Sequence, residues 1–363
     1  MILTKVKVGL IGLGEVAQII HLPILRALSN KFEIVALCDI SPQLLSVLGE
    51  EYQVHNLYTD ADELTKQNDL DLVMVLNSDE YHTDCVLSAI KNKKHVFVEK
   101  PVTLNLAEAD AIIKARNEAG VQVMVGYMRR YAPAFTQAVE EVKKLEKINY
   151  VRVRDIIGEN RLMIEQSSKV HRFNDITESA IKEKHLRGKE MVRKAIGDVP
   201  DELYSTYRML CGLGSHDLSA MRELIGVPKR VVSAVQWNSG QFITAIFEYD
   251  GFYTTFETGV DKQRRFDASL EVYSPTKTLK VQYDTPYIRH LPTNLHISET
   301  IDESFNQSIV RPTFKDPYTH ELEYLYDVIT NGMTPKTSIE DYKEDLKLFK
   351  QIIEVLKDSL VIK

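Results

Sequence analysis

Five near-continuous apolar runs, each followed by a segment with helical spacing, limit the fold of this chain more tightly than any other feature. The runs are "KVKVGLIG", "FEIVALC", "LDLVMVL", "HVFVE" and "VQVMVG". Between them lie "EVAQIIHLPILRAL", "SPQLLSVLGEEY", "YHTDCVLSAIKNK" and "LNLAEADAIIKARNEAG", with apolar residues three and four apart. Strands that lack polar alternation are buried on both faces, which calls for helices on either side of a parallel sheet. Right-handed crossovers then make this part doubly wound. Ser41 as N-cap, Pro42 at the first helical position and Gly120 at a helix end punctuate it.

Beyond "APAFTQAVEEVKKLEKI" the pattern changes. "YVRVRDII", "RVVSAVQWN", "FITAIFEY", "FYTTFETGV", "ASLEVYSP" and "TLKVQYD" alternate, and Asp250-Gly251 marks a turn, as in an antiparallel sheet. A charged insertion, Gly158 to Pro200, interrupts them, and the chain finishes in helix. Two domains are therefore expected, α/β over 1–128 and α+β over 129–363, with the helix at about 338–360 packing back on the first.

Composition removes several classes of function. A formal net charge of -7 argues against nucleic acid or an anionic membrane as partner. No stretch approaches the ~20 apolar residues of a membrane span. The start runs directly into a strand without a signal-peptide pattern, so a cytoplasmic protein is expected. Cys38, Cys85 and Cys211 are isolated, which fits buried thiols in a reducing compartment, and no histidine–carboxylate cluster has metal-ligand spacing.

Chemistry enters with "GLGEVA". Gly12, Leu13, Gly14, Glu15 and Val16 join the first strand to its helix. In that setting Gly12 permits a tight turn, Gly14 admits a pyrophosphate to the backbone, and the helix N-terminus favours its charge. Asp39 ends the second strand, where a carboxylate accepts from ribose hydroxyls and repels a 2′-phosphate. NAD is thus expected over NADP. Glu99 and Lys100 end the fourth predicted strand and Pro101 stops it, placing an acid and an amine where open α/β sheets bind ligands.

With "GLGEVA", "NSDEYHTDCVLSAIKNKKHVFVEKP", "GYMRRYAPAF" and "GLGSHDLSAMRELIG" in view, the chain resembles the glucose–fructose oxidoreductase, inositol dehydrogenase and MocA family along nearly its whole length. The resemblance implies a Rossmann domain followed by a domain built on an open, predominantly antiparallel sheet. It also implies hydride transfer between NAD and a hydroxyl or carbonyl carbon of a sugar, inositol or related polyol. The matching positions imply that Lys100 binds the reacting hydroxyl and His216 exchanges its proton. Leu76, Asn77, Ser78 and His82 would line the cofactor's path, with Glu99 near the nicotinamide ribose. A homodimer or homotetramer through the second-domain sheet would follow. One departure stands out: four residues before His216 the family commonly carries an aspartate, and this chain has Gly212. That substitution keeps open a non-catalytic NAD- and sugar-binding sensor. An NAD-dependent glycoside hydrolase is a third reading.

Other positions have two readings each. Arg129 and Arg130 follow the fifth predicted strand, where one reaches cofactor or substrate or both pair with acids. His171, Arg172 and Phe173 lie in the insertion and form a substrate wall or a solvated excursion. Tyr204, Tyr207 and Arg208 precede the His216 helix as substrate donors or as core, and Trp237 reads as packing.

Overall fold

The computed structural model describes residues 5–361. Its first sheet holds β1 (Val6–Ile11), β2 (Phe32–Cys38), β3 (Asn56–Tyr58), β4 (Leu72–Val75), β5 (His95–Glu99) and β6 (Val123–Gly126). All pairings are parallel, in the order β3-β2-β1-β4-β5-β6. The five expected strands are present; β3 is an addition, and its three residues are too few to show a period. The central strands bury Leu10, Val73, Val75, Phe97 and Val98 completely. The order reverses between β1 and β4, and at such a switch point the crevice beyond the strand ends receives ligands.

The chain builds this unit from three stretches: residues up to Gly126, Ser168–Ala195 and Glu321–Lys343. Each later stretch is tied down by polar contacts. The Val125 amide donates to the Thr337 carbonyl (2.8 Å) and Thr337 Oγ1 donates to the Val125 carbonyl (2.8 Å), so the outer edge of β6 is covered. Arg116 forks onto Glu340 (2.6 and 2.8 Å), and Tyr342 donates to the Thr103 carbonyl.

The second unit comprises Tyr127–Ser167, Ile196–His320 and the residues from Glu344 on. Its sheet contains β7 (Tyr150–Gly158), β8 (Arg230–Trp237), β9 (Phe242–Glu248), β10 (Tyr253–Asp261), β11 (Phe266–Tyr273), β12 (Lys277–Tyr283), β13 (Asn294–Ile301) and β14 (Ser304–Val310). The order is β14-β13-β12-β11-β7-β10-β9-β8, antiparallel throughout except for β7 beside β10. The sequence signals neither β13 nor β14. β14 is exposed along nearly its whole length, so no core imposes a period on it.

One face of this sheet buries Val151, Val153, Phe256, Leu270, Val272, Leu279 and Val281. The opposite face of β7, β10 and β11 carries paired charges. Arg152 bridges to Glu257 (3.0 Å) and Arg154 to Asp267 (2.8 Å), a half-buried ladder of ion pairs. Exposed apolar side chains, Val235 and Trp237, are found at the β8 edge.

Candidate functional site

The strand-to-helix turn after β1 has the backbone its glycines imply. Gly12 has φ +91°, and a Cβ there would lie 2.3 Å from the Asn77 amide nitrogen, so no other residue fits without displacing the loop after β4. Gly14 differs: a Cβ would meet no protein atom within 4 Å, which leaves its outward side clear for a ligand. The helix opens at Glu15 and passes through a π-type turn at Ala17–His21 before continuing to Ala27. Such turns recur at functional positions.

Asp39 closes the far side of this turn. Its Oδ2 accepts from the Leu13 amide (2.8 Å) and its Oδ1 from the Ser41 amide (2.9 Å). Burial raises its carboxyl above the usual range, with the Leu13 and Ser41 amides pulling the other way. Leu76, Asn77 and Ser78 line the next loop, and the buried Asn77 Oδ1 has no hydrogen-bond partner. The clear side of Gly14, the helix start and this unmatched acceptor together fit a dinucleotide along the crevice.

The Glu99-Lys100-Pro101 junction is braced from two directions. Glu99 Oε1 meets His21 Nε2 at 2.9 Å, and Glu99 Oε2 accepts from the Lys100 amide (3.2 Å). The His82 ring spans the Pro101 carbonyl (2.8 Å) and the Asn77 carbonyl (2.9 Å). His82 is therefore a buried clamp that holds the loop after β4 against the Lys100 segment, whose Lys100–Pro101 bond is cis. Lys100 itself is half-buried.

The charged insertion contributes to the nucleotide unit. Gln18 clasps His171 in both directions, accepting from its amide (2.8 Å) and donating to its carbonyl (3.2 Å). Arg172 pairs with Glu15 (2.5 Å). Asp175 accepts from Ser41 Oγ (2.7 and 2.8 Å) and from the Gln43 amide (3.0 Å). Further on, Arg187 donates to the Glu80 carbonyl (2.5 Å) and covers the Tyr81 ring. This strap thus contacts the turns after β1, β2 and β4. His171 and Arg172, read as a substrate wall or a solvated excursion, lie beside the glycine turn.

In the second unit the two arginines are committed to acids. Arg129 is fully enclosed and bonded to Asp217 and to Asp155 (3.1 Å), with Tyr283 under its guanidinium. Burial holds the Asp217 carboxyl well above its ordinary range, against the pull of Arg129. Arg130 pairs with Glu223 (2.5 Å). Arg129 is thus paired with acids, one of the two readings given for it. Tyr207 is also core: it is 2% exposed and its hydroxyl borders Cys211. His216, 9% exposed, follows a π-type turn at Leu210–Gly214 that joins helix Asp201–Met209 to helix Ser215–Ile225. A Cβ at Gly212 would meet no atom within 4 Å, so no side chain has closed in where the aspartate is missing.

Residues 6–127 match the family described as an oxidoreductase family with an NAD-binding Rossmann fold, GFO_IDH_MocA. Over those residues, about a third of its length, the chain is similar to that family. Among its relatives, a myo-inositol 2-dehydrogenase of Thermotoga maritima is 34% identical over 137 residues, 38% of this chain and 40% of that protein. A scyllo-inositol 2-dehydrogenase (NAD(+)) of Bacillus subtilis is 28% identical over 138 residues, 38% and 40% of the two chains. The matched part therefore spans well under half the length of these curated relatives. In three dimensions the likeness extends further. The solved myo-inositol 2-dehydrogenase of Lactobacillus plantarum superposes with TM-score 0.70 over 98% of both chains at 19% identity, which establishes a shared fold and no more.

Three contributors were not signalled by the sequence. His21 is concealed in an apolar helix, and its only hint is a histidine one turn past the glycine motif. Gln18 and Asp175 act through side chain-to-backbone or cap contacts between stretches more than 130 residues apart, a distance over which no local pattern operates. Among the described residues no helix is long and apolar enough to cross a membrane.

Proposed function

We propose that this protein is an NAD-dependent oxidoreductase acting at a hydroxyl-bearing carbon of a sugar, inositol or related polyol. The observation that carries the reading is Lys100 at the end of β5, its backbone braced by Glu99, His21 and the His82 clamp at the mouth of a Rossmann crevice. An ammonium held there donates to, and polarises, a substrate hydroxyl oxygen. The named activities of the inositol dehydrogenases support the substrate class, and the Asp39 carboxylate supports NAD over NADP. When bound, the nicotinamide ring supplies the two-electron acceptor or donor. The chain's own tasks are then to orient the hydroxyl and to move its proton. Lys100 Nζ does the first, and a ring nitrogen of His216 does the second, because imidazole changes charge near neutral pH. Arg172, Glu15 and Gln18 hold the strap against the glycine turn, and His82 preserves the loop that would face the cofactor.

A reducing cytosol suits the three buried thiols, Cys38, Cys85 and Cys211. Self-association as a homodimer or homotetramer through the second sheet belongs to the same reading.

The test is steady-state reduction of NAD with a polyol panel, followed by Lys100→Ala and His216→Ala. Turnover should fall by roughly 10²–10⁴-fold in each, while NAD binding measured by calorimetry stays close to wild type. Tight NAD binding with no absorbance change for any polyol would replace the enzyme by a sensor. Near-normal rates in both variants would remove the two residues from the mechanism.

A further inference from the structure

The strap places a second carboxylate at the turn after β2, beside Asp39. Asp175 reaches Ser41 Oγ with both oxygens, at 2.7 and 2.8 Å, and takes the Gln43 amide at 3.0 Å. Ser41 is the N-cap of the eleven-residue helix Pro42–Tyr52, two positions after Asp39. A carboxylate at the end of β2 meets the adenosine ribose hydroxyls, so a phosphate on the 2′-oxygen would extend toward this helix start. The donors there already have partners. The Ser41 amide serves Asp39, the Leu44 amide serves Ser41 Oγ (3.1 Å), the Gln43 amide serves Asp175, and Pro42 has no N–H.

We propose that Asp175 is a cofactor-selecting residue: it occupies, from within the chain, the anion position a 2′-phosphate would need, and so excludes NADP. The inference deepens the NAD reading above and rests on it. Two carboxylates, Asp39 and Asp175, then face the 2′-position, so a phosphate there would lose its donors and meet like charge. Exclusion of the wrong ligand by an unpaired charge is a common route to specificity. The Ser41 hydroxyl and the Gln43 amide keep the Asp175 carboxyl below its ordinary range, so it is ionised at neutral pH. Arg172 does not cancel this charge, since its guanidinium pairs with Glu15.

The experiment is calorimetric titration of the full-length protein with NAD, NADP, 5′-AMP and adenosine 2′,5′-bisphosphate, for wild type, Asp175→Asn and Asp175→Ala. Asparagine retains an acceptor for Ser41 and Gln43, so the strap and helix cap persist in that variant, which a melting curve checks. Wild type should prefer NAD over NADP and 5′-AMP over the bisphosphate. Both variants should narrow each preference by about tenfold or more, with NAD affinity changed by less than the NADP gain. A strap-anchoring role alone would weaken NAD and NADP together and leave the ratio at its wild-type value; that result overturns the proposal. Wild type that binds NADP as well as NAD would overturn the NAD reading, and this inference with it. Wild type that binds neither dinucleotide would remove the oxidoreductase reading itself.

Discussion

Gly12 and Gly14 sit two residues apart in the same turn, yet alanine should act on them in opposite ways. At Gly12 the backbone has φ +91°, and the new methyl would fall 2.3 Å from Asn77 N and 2.4 Å from Asn77 Cα. The left-handed conformation costs an L-residue about 1–2 kcal/mol. Relieving the overlap adds about 1–3 kcal/mol, because the obstacle is backbone that the His82 clamp holds in place. Gly12→Ala should therefore lose about 2–5 kcal/mol of stability without any ligand. At Gly14 the methyl meets no protein atom, and the lost helix-start preference roughly offsets the stiffer unfolded chain. Gly14→Ala should stay within about 1 kcal/mol of wild type as the free protein. Its defect appears only with cofactor. NAD at one hundred times its dissociation constant should stabilise wild type by about 2.7 kcal/mol, and Gly14→Ala by a small fraction of that at the same concentration. Urea unfolding with and without NAD measures all four quantities. Full NAD-linked stabilisation in Gly14→Ala, or wild-type stability in Gly12→Ala, would refute the division of labour within the turn.

Two further outcomes follow from buried charge. Burial holds the Asp39 carboxyl above its ordinary 3.8, so folding favours the protonated form; the stability this gives is complete below 3.8 and disappears as pH rises through the folded value. The wild-type minus Asp39→Asn difference in unfolding free energy should accordingly fall as pH is raised from about 4 toward neutrality, and a difference that grows instead would contradict the burial argument. Arg129→Met would strand Asp155 and Asp217 together in the second unit, for a loss of about 3–5 kcal/mol at neutral pH. Acid should shrink that loss, because Asp217, already held high by burial, takes up a proton. Near-wild-type unfolding at pH 7 would show that the triad relaxes.

The parallel sheet could be read in the sequence because each of its longer strands is buried on both faces and its helices carry stop and start residues in the chain itself, Ser41 and Gly120 among them. The glycine turn, Asp39 and the Glu99-Lys100 junction were visible for the same reason, since their chemistry is set by neighbours in sequence. What remained hidden depends on partners far along the chain. Arg129 looks like a ligand-binding cation until β7 supplies Asp155 and the His216 helix supplies Asp217. Tyr207 looks like a donor until burial places its ring in the core. The insertion carries no apolar period, so its attachment through Gln18, Glu15 and Ser41 had no trace in composition. β14 escaped notice because solvent surrounds it.

The Thr337 contact that covers β6 has a consequence for synthesis. Val125 and its edge partner are separated by 212 positions. A ribosome therefore delivers the whole parallel sheet, with one flank unsatisfied, long before the strip that seals it exists. For that interval the nascent protein offers bare amides to any neighbouring polypeptide, and distant closures of this kind slow folding. Maturation of the first unit should thus be a late event, completed only after Thr337 has emerged.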